Sequence, residues 1–154
     1  GDPDKCYLAG LLHDITKNAS DDEHLKIFET FGIMLNDIEK NAKKLWHAIS
    51  GEAYIKNVLL IDDSELLDAV RYHTTAKCDM SLTALILYLA DFTSLDRDYP
   101  DVEVIRGLVD ISLNEAYIYA LKYSINDLTD NSRAIHPDTF EAYNDAILNL
   151  QGDM

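Results

Sequence analysis

The sequence predicts an all-α fold, on three observations. Residues that cap helices recur along the chain, and apolar residues between them step in threes and fours. No stretch reads convincingly as a strand, and no repeat, low-complexity tract or linker divides the 154 residues. One domain is therefore expected over residues 1–154, long enough to bury a real core.

The elements follow in order. Asp2 caps and Pro3 opens a first helix expected to reach about Lys17. Ser20 with Glu23 forms a capping box for a helix that Gly32 closes. A short helix is expected from Asn36 to Asn41. From Lys43 to about Leu60, Leu45, Ile49, Ala53 and Val58 keep a helical rhythm that Gly51 breaks. Asp62 or Asp63 caps the segment carrying Leu66, Leu67, Val70 and His73. Asp79 or Ser81 starts the most apolar helix, Leu82 to Phe92, which should be central. After Pro100 and Asp101 one long helix is expected, with Ile105, Leu108, Val109, Ser112, Leu113, Ala116, Ala120 and Leu121 along one face, continuing or kinking through Leu128. His136-Pro137-Asp138 opens a last helix to about Leu150. Tyr117, Tyr119 and Tyr123 are expected to pack between helices, not to stack on bases.

Composition narrows the function classes. A formal net charge of −15 disfavours nucleic-acid polymers and an anionic membrane face. It leaves room for a small phosphorylated ligand, because bound divalent metals reverse the local field. The apolar run Leu82 to Ala90 is too short to span a bilayer, and the first residues show no signal peptide. Cys6 and Cys78 are too few and too far apart for a disulfide framework or a zinc ribbon. Reduced thiols in a cytoplasmic protein are expected, with no chemical role for Cys78.

The chemistry gathers at five residues. An apolar run ends in adjacent His13 and Asp14, with Lys17 four residues after the histidine. His47, His73 and Asp91 also sit within or at the ends of apolar helical segments. Singly each has a plain reading: a satisfied core imidazole, a helix C-terminal cation, or a carboxylate paired with Arg97. Together they are imidazoles and carboxylates brought by separate helices, the donor set of a metal site in a helical bundle. His24 and His136 lack such settings, and His24 is expected to be a solvated helix residue. Arg71, Lys77 and Arg133 read first as surface charges.

The blocks Leu11-Leu12-His13-Asp14-Ile15-Thr16-Lys17, Leu45-Trp46-His47 and Arg71-Tyr72-His73-Thr74-Thr75 resemble the HD-domain metal-dependent phosphohydrolases, most closely their YqeK-type branch. So do Met80-Ser81, Leu87-Tyr88-Leu89-Ala90-Asp91, Arg97-Asp98-Tyr99-Pro100 and Ile135-His136-Pro137, in the family's order. The resemblance implies an HD-domain helical bundle with two divalent metal ions, iron first, manganese or another divalent metal as alternatives. It implies His13, Asp14, His47, His73 and Asp91 as metal ligands, with Asp14 bridging. Asp14, Lys17 and Arg97 become the catalytic residues, and Lys17, Thr74, Thr75 and Arg97 the contacts to substrate. The implied reaction is symmetrical cleavage of diadenosine tetraphosphate into two ADP, by a hydroxide formed from water between the metals. A small-molecule nucleotide is the expected partner, with a homodimer the one self-association allowed for.

Two departures from the family pattern follow. A further ligand histidine on the family's N-terminal helix is expected to be missing from residues 1–154, and Ala76 stands where the family has glycine, at a position suited to positive φ. The alternatives are a nucleotide phosphomonoesterase or other phosphohydrolase with the same metal site, and a non-catalytic nucleotide-binding domain whose site has decayed.

Overall fold

The computed structural model describes residues 2–152 and is helical, with no strand among them. Its elements are α1 (Pro3–Leu12), α2 (Asp21–Phe31), α3 (Asp37–Asn41), a 3₁₀ turn (Lys43–Leu45), α4 (Trp46–Asn57), α5 (Ser64–Tyr72), α6 (Leu82–Thr93), α7 (Val102–Val109), α8 (Leu113–Asp130) and α9 (Pro137–Gly152). The caps fall where the sequence puts them. Asp2, Ser20, Asn36, Asp63 and Ser81 each accept a backbone N–H at a helix start, and Gly32 closes α2 at φ 67°.

α6 is central, as its composition predicts. Ala84 and Leu87 join Ala9, Ile55, Leu66 and Val70 in a cluster that binds α1, α4 and α5. Tyr88 and Leu89 face the other way, onto Ile105, Tyr117, Leu121 and Ala142 of α7, α8 and α9. A third cluster, Phe28, Trp46 and Ile49, seats α2 on α4. No helix among the described residues is long and apolar enough to cross a membrane.

Three boundaries differ from expectation. α1 stops at Leu12, and residues 13–18 run in tight turns, with Ile15 N–H on Leu12 O and Lys17 N–H on Asp14 O. Thr16 anchors that turn, donating its hydroxyl to His47 O at 2.9 Å. The expected long helix is two helices, α7 and α8. Ser112 leaves helical geometry (φ −157°, ψ 116°) and caps α8 by accepting from Glu115 N–H. Gly51 does not break α4, which runs through it.

That glycine yields a stability prediction. A Cβ there would meet Thr16 Oγ1 at 3.4 Å and Val70 Cγ1 at 3.6 Å, ordinary packing contacts. Gly51→Ala is therefore expected to stabilise the fold by about 0.5–1 kcal/mol, through the lower backbone entropy of the unfolded chain. Urea unfolding checks it, and a loss of stability would mean that the contact is tighter than its distance.

Ala76 adopts the left-handed conformation its position demands (φ 61°) and is fully buried. Its N–H bonds Tyr72 O at 2.8 Å, closing the turns after α5. Its methyl packs into the α6–α9 cluster, and that burial, about 0.8 kcal/mol, offsets part of the left-handed backbone cost of roughly 1–2 kcal/mol.

Candidate metal centre

Three histidines and a carboxylate meet where the turns after α1 face α4 and the end of α5. His13 Nδ1 lies 2.6 Å from Gly10 O, and His73 Nδ1 lies 2.7 Å from Val70 O. A carbonyl only accepts, so each Nδ1 carries the proton and each neutral ring leaves Nε2 bare. The Lys44 backbone, likewise three residues upstream, hydrogen-bonds His47. These are the supports that fix imidazole ligands in metal sites.

The bare nitrogens converge on Asp14. His47 Nε2 is 3.3 Å and His73 Nε2 3.7 Å from Asp14 Oδ1, and His13 Nε2 is 3.4 Å from Oδ2. His47 Nε2 and His73 Nε2 stand 3.1 Å apart. Asp14 Oδ1 is buried with no hydrogen-bond donor. Acceptors crowded together without a donor are unfavourable alone and suit a cation among them. His13, Asp14 and His73 each offer an atom within 4.8 Å of the others. The donor set, nitrogen and oxygen without sulfur, fits a divalent metal such as iron, manganese or zinc.

The electrostatics agree. Burial, opposed in part by the Val70 carbonyl, holds His73 below its ordinary pKa and keeps it neutral, the form that binds metal. Asp14 is held below the ordinary carboxylate range: burial pushes it upward, and the Lys17 ammonium at 2.6 Å pulls it down and favours the carboxylate.

The cluster opens onto a groove of about 620 Å³ bordered by Lys17, His47, His73, Asp91 and Arg97. Asp91 is held by Arg97, which donates Nη2 to its carboxylate at 2.8 Å and Nε to its carbonyl at 3.0 Å. A second lobe of about 630 Å³ adjoins, bordered by Thr75, Arg133, His136 and Thr139. The lobes share Lys43, Lys44, Leu45, Thr74, Phe92, Tyr123 and Asp127 as walls. Thr74 Oγ1 is buried and unpartnered between them. Thr75 is committed internally, its hydroxyl donating to Ala76 O and its carbonyl accepting from Thr139. Tyr117 packs on Tyr88 and Tyr119 bonds Asp101, whereas Tyr123 stacks on Tyr99 at the groove wall.

Two histidines depart from the sequence reading. His24, expected in solvent, is 5% exposed, borders the groove and contacts Ser50. His136 is 6% exposed and pairs with Glu39, which also binds Arg71. Arg71 is thereby a half-buried network member, while Lys77 pairs with Asp68 and Arg133 with Asp127. No local pattern announces a pair 97 residues apart.

Comparison with known proteins adds the following. A family model described as HD domain matches residues 1–96, which include His13, Asp14, His47, His73 and Asp91. The symmetrical bis(5'-nucleosyl)-tetraphosphatase of Bacillus subtilis (strain 168) is 31% identical over 143 residues, covering 93% of this chain and 76% of that protein. The protein of the same name from Halalkalibacterium halodurans is 33% identical over 147 residues, 96% of this chain and 78% of that one. A crystal structure from Clostridium acetobutylicum, described as a "predicted HD superfamily hydrolase involved in NAD metabolism", matches with a TM-score of 0.90 at 32% identity. It covers 96% of this chain and 78% of that one.

Proposed function

The chain belongs to the HD domain family, and from that premise we propose that this metal-dependent phosphohydrolase cleaves diadenosine tetraphosphate symmetrically into two ADP. One observation carries the choice of substrate: the imidazole–carboxylate cluster opens onto a groove whose two lobes each have nucleotide-sized volume. Cutting a central anhydride needs room for a nucleotide on both sides of the reacting phosphorus. The names of the Bacillus and Halalkalibacterium relatives support the same reading.

In this reading His13, Asp14, His47, His73 and Asp91 would hold two divalent ions, iron first. When bound, such ions acidify water and draw charge from phosphoryl oxygens. The chain's own groups do the rest. Lys17 and Arg97, paired with Asp14 and Asp91, lie at the groove and turn to phosphate oxygens as substrate enters. Thr74, which borders both lobes, turns its sealed and unpartnered hydroxyl to a phosphate oxygen as substrate enters, which relieves a buried polar atom. Thr75 orients the loop rather than touching substrate. Leu45, Phe92 and Tyr123 supply apolar surface for a purine and exclude water from one wall.

Product analysis tests the reading. Protein loaded with iron(II) under anaerobic conditions should release ADP as the only nucleotide from diadenosine tetraphosphate. AMP with ATP would show that the phosphates bind in another register. Orthophosphate from a nucleoside monophosphate, with no dinucleotide cleavage, would move the assignment to a phosphomonoesterase.

A further inference from the structure

His24 is a buried, polar side chain for which the hydrolytic reading has no use. Its ring is fixed on three sides. It stacks near Phe28 (centroids 6.3 Å apart), meets Trp46 edge-on (6.2 Å) and places Nδ1 2.8 Å from Ser50 Oγ. Ser50 Oγ is in turn 2.8 Å from Thr16 Oγ1, which donates to His47 O at 2.9 Å.

Counting protons along this chain gives it one direction. Thr16 has a single hydroxyl hydrogen, and the His47 carbonyl takes it. Thr16 can then only accept from Ser50, which spends its own hydrogen there. Ser50 therefore accepts from His24, so Nδ1 of His24 bears the proton. Burial holds the imidazole neutral, despite Asp21 and Glu23 nearby. Nε2 is left as a bare acceptor. It has no hydrogen-bond partner among the described residues, yet it is not among the sealed, unpartnered atoms, and the ring borders the groove.

We propose that His24 is a specificity-determining residue, whose Nε2 accepts a hydrogen bond from the nucleoside part of the substrate. The proposal rests on the reading of the groove as a nucleotide site. An acceptor cannot bind an ionised phosphate oxygen, which has no hydrogen to give. The nucleoside offers donors of the right kind, a ribose hydroxyl or the exocyclic amine of adenine. The side chain acts through binding, because it holds no proton on Nε2 to deliver.

Two isosteric variants separate this role from packing. In His24→Asn the amide nitrogen takes the place of Nδ1, keeping the Ser50 bond and deleting the groove acceptor. His24→Gln places its amide oxygen near the Nε2 position and gives up the Ser50 bond. Titration calorimetry on metal-loaded protein compares ADP with pyrophosphate as the probe lacking a nucleoside. ADP should bind His24→Asn about ten-fold more weakly than wild type, with pyrophosphate unchanged, and His24→Gln should recover most of the loss. The 2',3'-dideoxy analogue of ADP and the analogue lacking the 6-amino group identify the donor. Whichever one binds wild type and His24→Asn alike has lost it.

Equal weakening of ADP and pyrophosphate, or full ADP affinity in His24→Asn, would overturn the proposal and leave His24 as a packing residue. Failure of the functional reading looks different: ADP binds with the predicted dependence on His24, but the dinucleotide is not cleaved.

Discussion

Asp14→Asn is expected to lower hydrolysis by about 10³-fold or more and to empty the metal site. Among the described residues the carboxylate is the one anionic group to which His13, His47 and His73 all present nitrogen, at 3.3–3.7 Å. Its Oδ1 is sealed from solvent with no donor. Asparagine keeps the volume but removes the charge, and it turns one ligand atom into an N–H that faces bare imidazole nitrogens. Those nitrogens can accept from the amide, so the cluster becomes satisfied without a cation. Two measurements check this. Metal analysis should find wild-type protein loaded and the variant empty, and a chelator should lower the melting temperature of wild type alone, because bound metal stabilises the native state by mass action. A variant that keeps both metal and turnover would remove Asp14 from the centre of the site.

How much of this was legible beforehand depends on the range of each interaction. The capping box at Ser20–Glu23 involves neighbours in sequence, and the structure places it as read; the short helix expected from Asn36 proves to open on a second such box, Asn36 with Glu39. His13, Asp14, His47 and His73 stood out because ionisable groups at the ends of apolar segments need compensation. What could not be read was the backbone between them. His13 and Lys17 do not share a helix face, since α1 ends at Leu12, and Lys17 instead reaches Asp14 through the tight turn. Thr16 holds that turn in place, its hydroxyl donated to the His47 carbonyl 31 residues away. Ser112 shows the same limit from the other side. It fits the apolar stripe of one long helix, yet its capping hydroxyl makes it the boundary between two.

His24 and Glu39 were missed for a related reason. Each lies on a helix whose local pattern is amphipathic and acidic, which reads as a solvated face. Their burial comes from elements folded over them later in the chain, the α4 residues Trp46 and Ser50 for His24, and Arg71 and His136 for Glu39. Only the residue type gave a hint, and a histidine or glutamate on such a helix is ordinary.

Glu39→Gln should produce the largest loss of stability of any isosteric change outside the metal centre, about 3 kcal/mol, or roughly 10 °C in melting temperature. Glu39 is 5% exposed, and its groups are fully used. Oε1 accepts from Arg71 Nη2 at 2.9 Å and from His136 Nε2 at 3.1 Å, while Oε2 accepts from the Asn36 N–H at 3.0 Å. Its carbonyl also takes the Trp46 indole N–H at 2.7 Å. His136 has its proton on Nε2, because Nδ1 accepts from the Asp138 N–H. All three partners of the carboxylate are thus donors, and a glutamine amide must aim its own N–H₂ at one side or the other. A donor then meets a donor whichever way it turns, and Arg71 is left without an anion.

The pH dependence gives the sign. Burial pushes the Glu39 carboxyl upward, but the Asn36 N–H, His136 and Arg71 outweigh it and hold the pKa below the ordinary range. A depressed carboxyl contributes stability above its unfolded pKa, and that contribution fades as pH falls through the folded value. The gap between wild type and Glu39→Gln should therefore be full at pH 7 and narrow below about pH 4. A gap of constant width would assign the loss to shape instead of charge. The same network fixes α3 and the start of α9, whose residues Ile38, Asn41, His136 and Thr139 border the second lobe. Glu39→Gln should accordingly raise KM for the dinucleotide while its metal content stays at the wild-type level, the opposite pattern to Asp14→Asn.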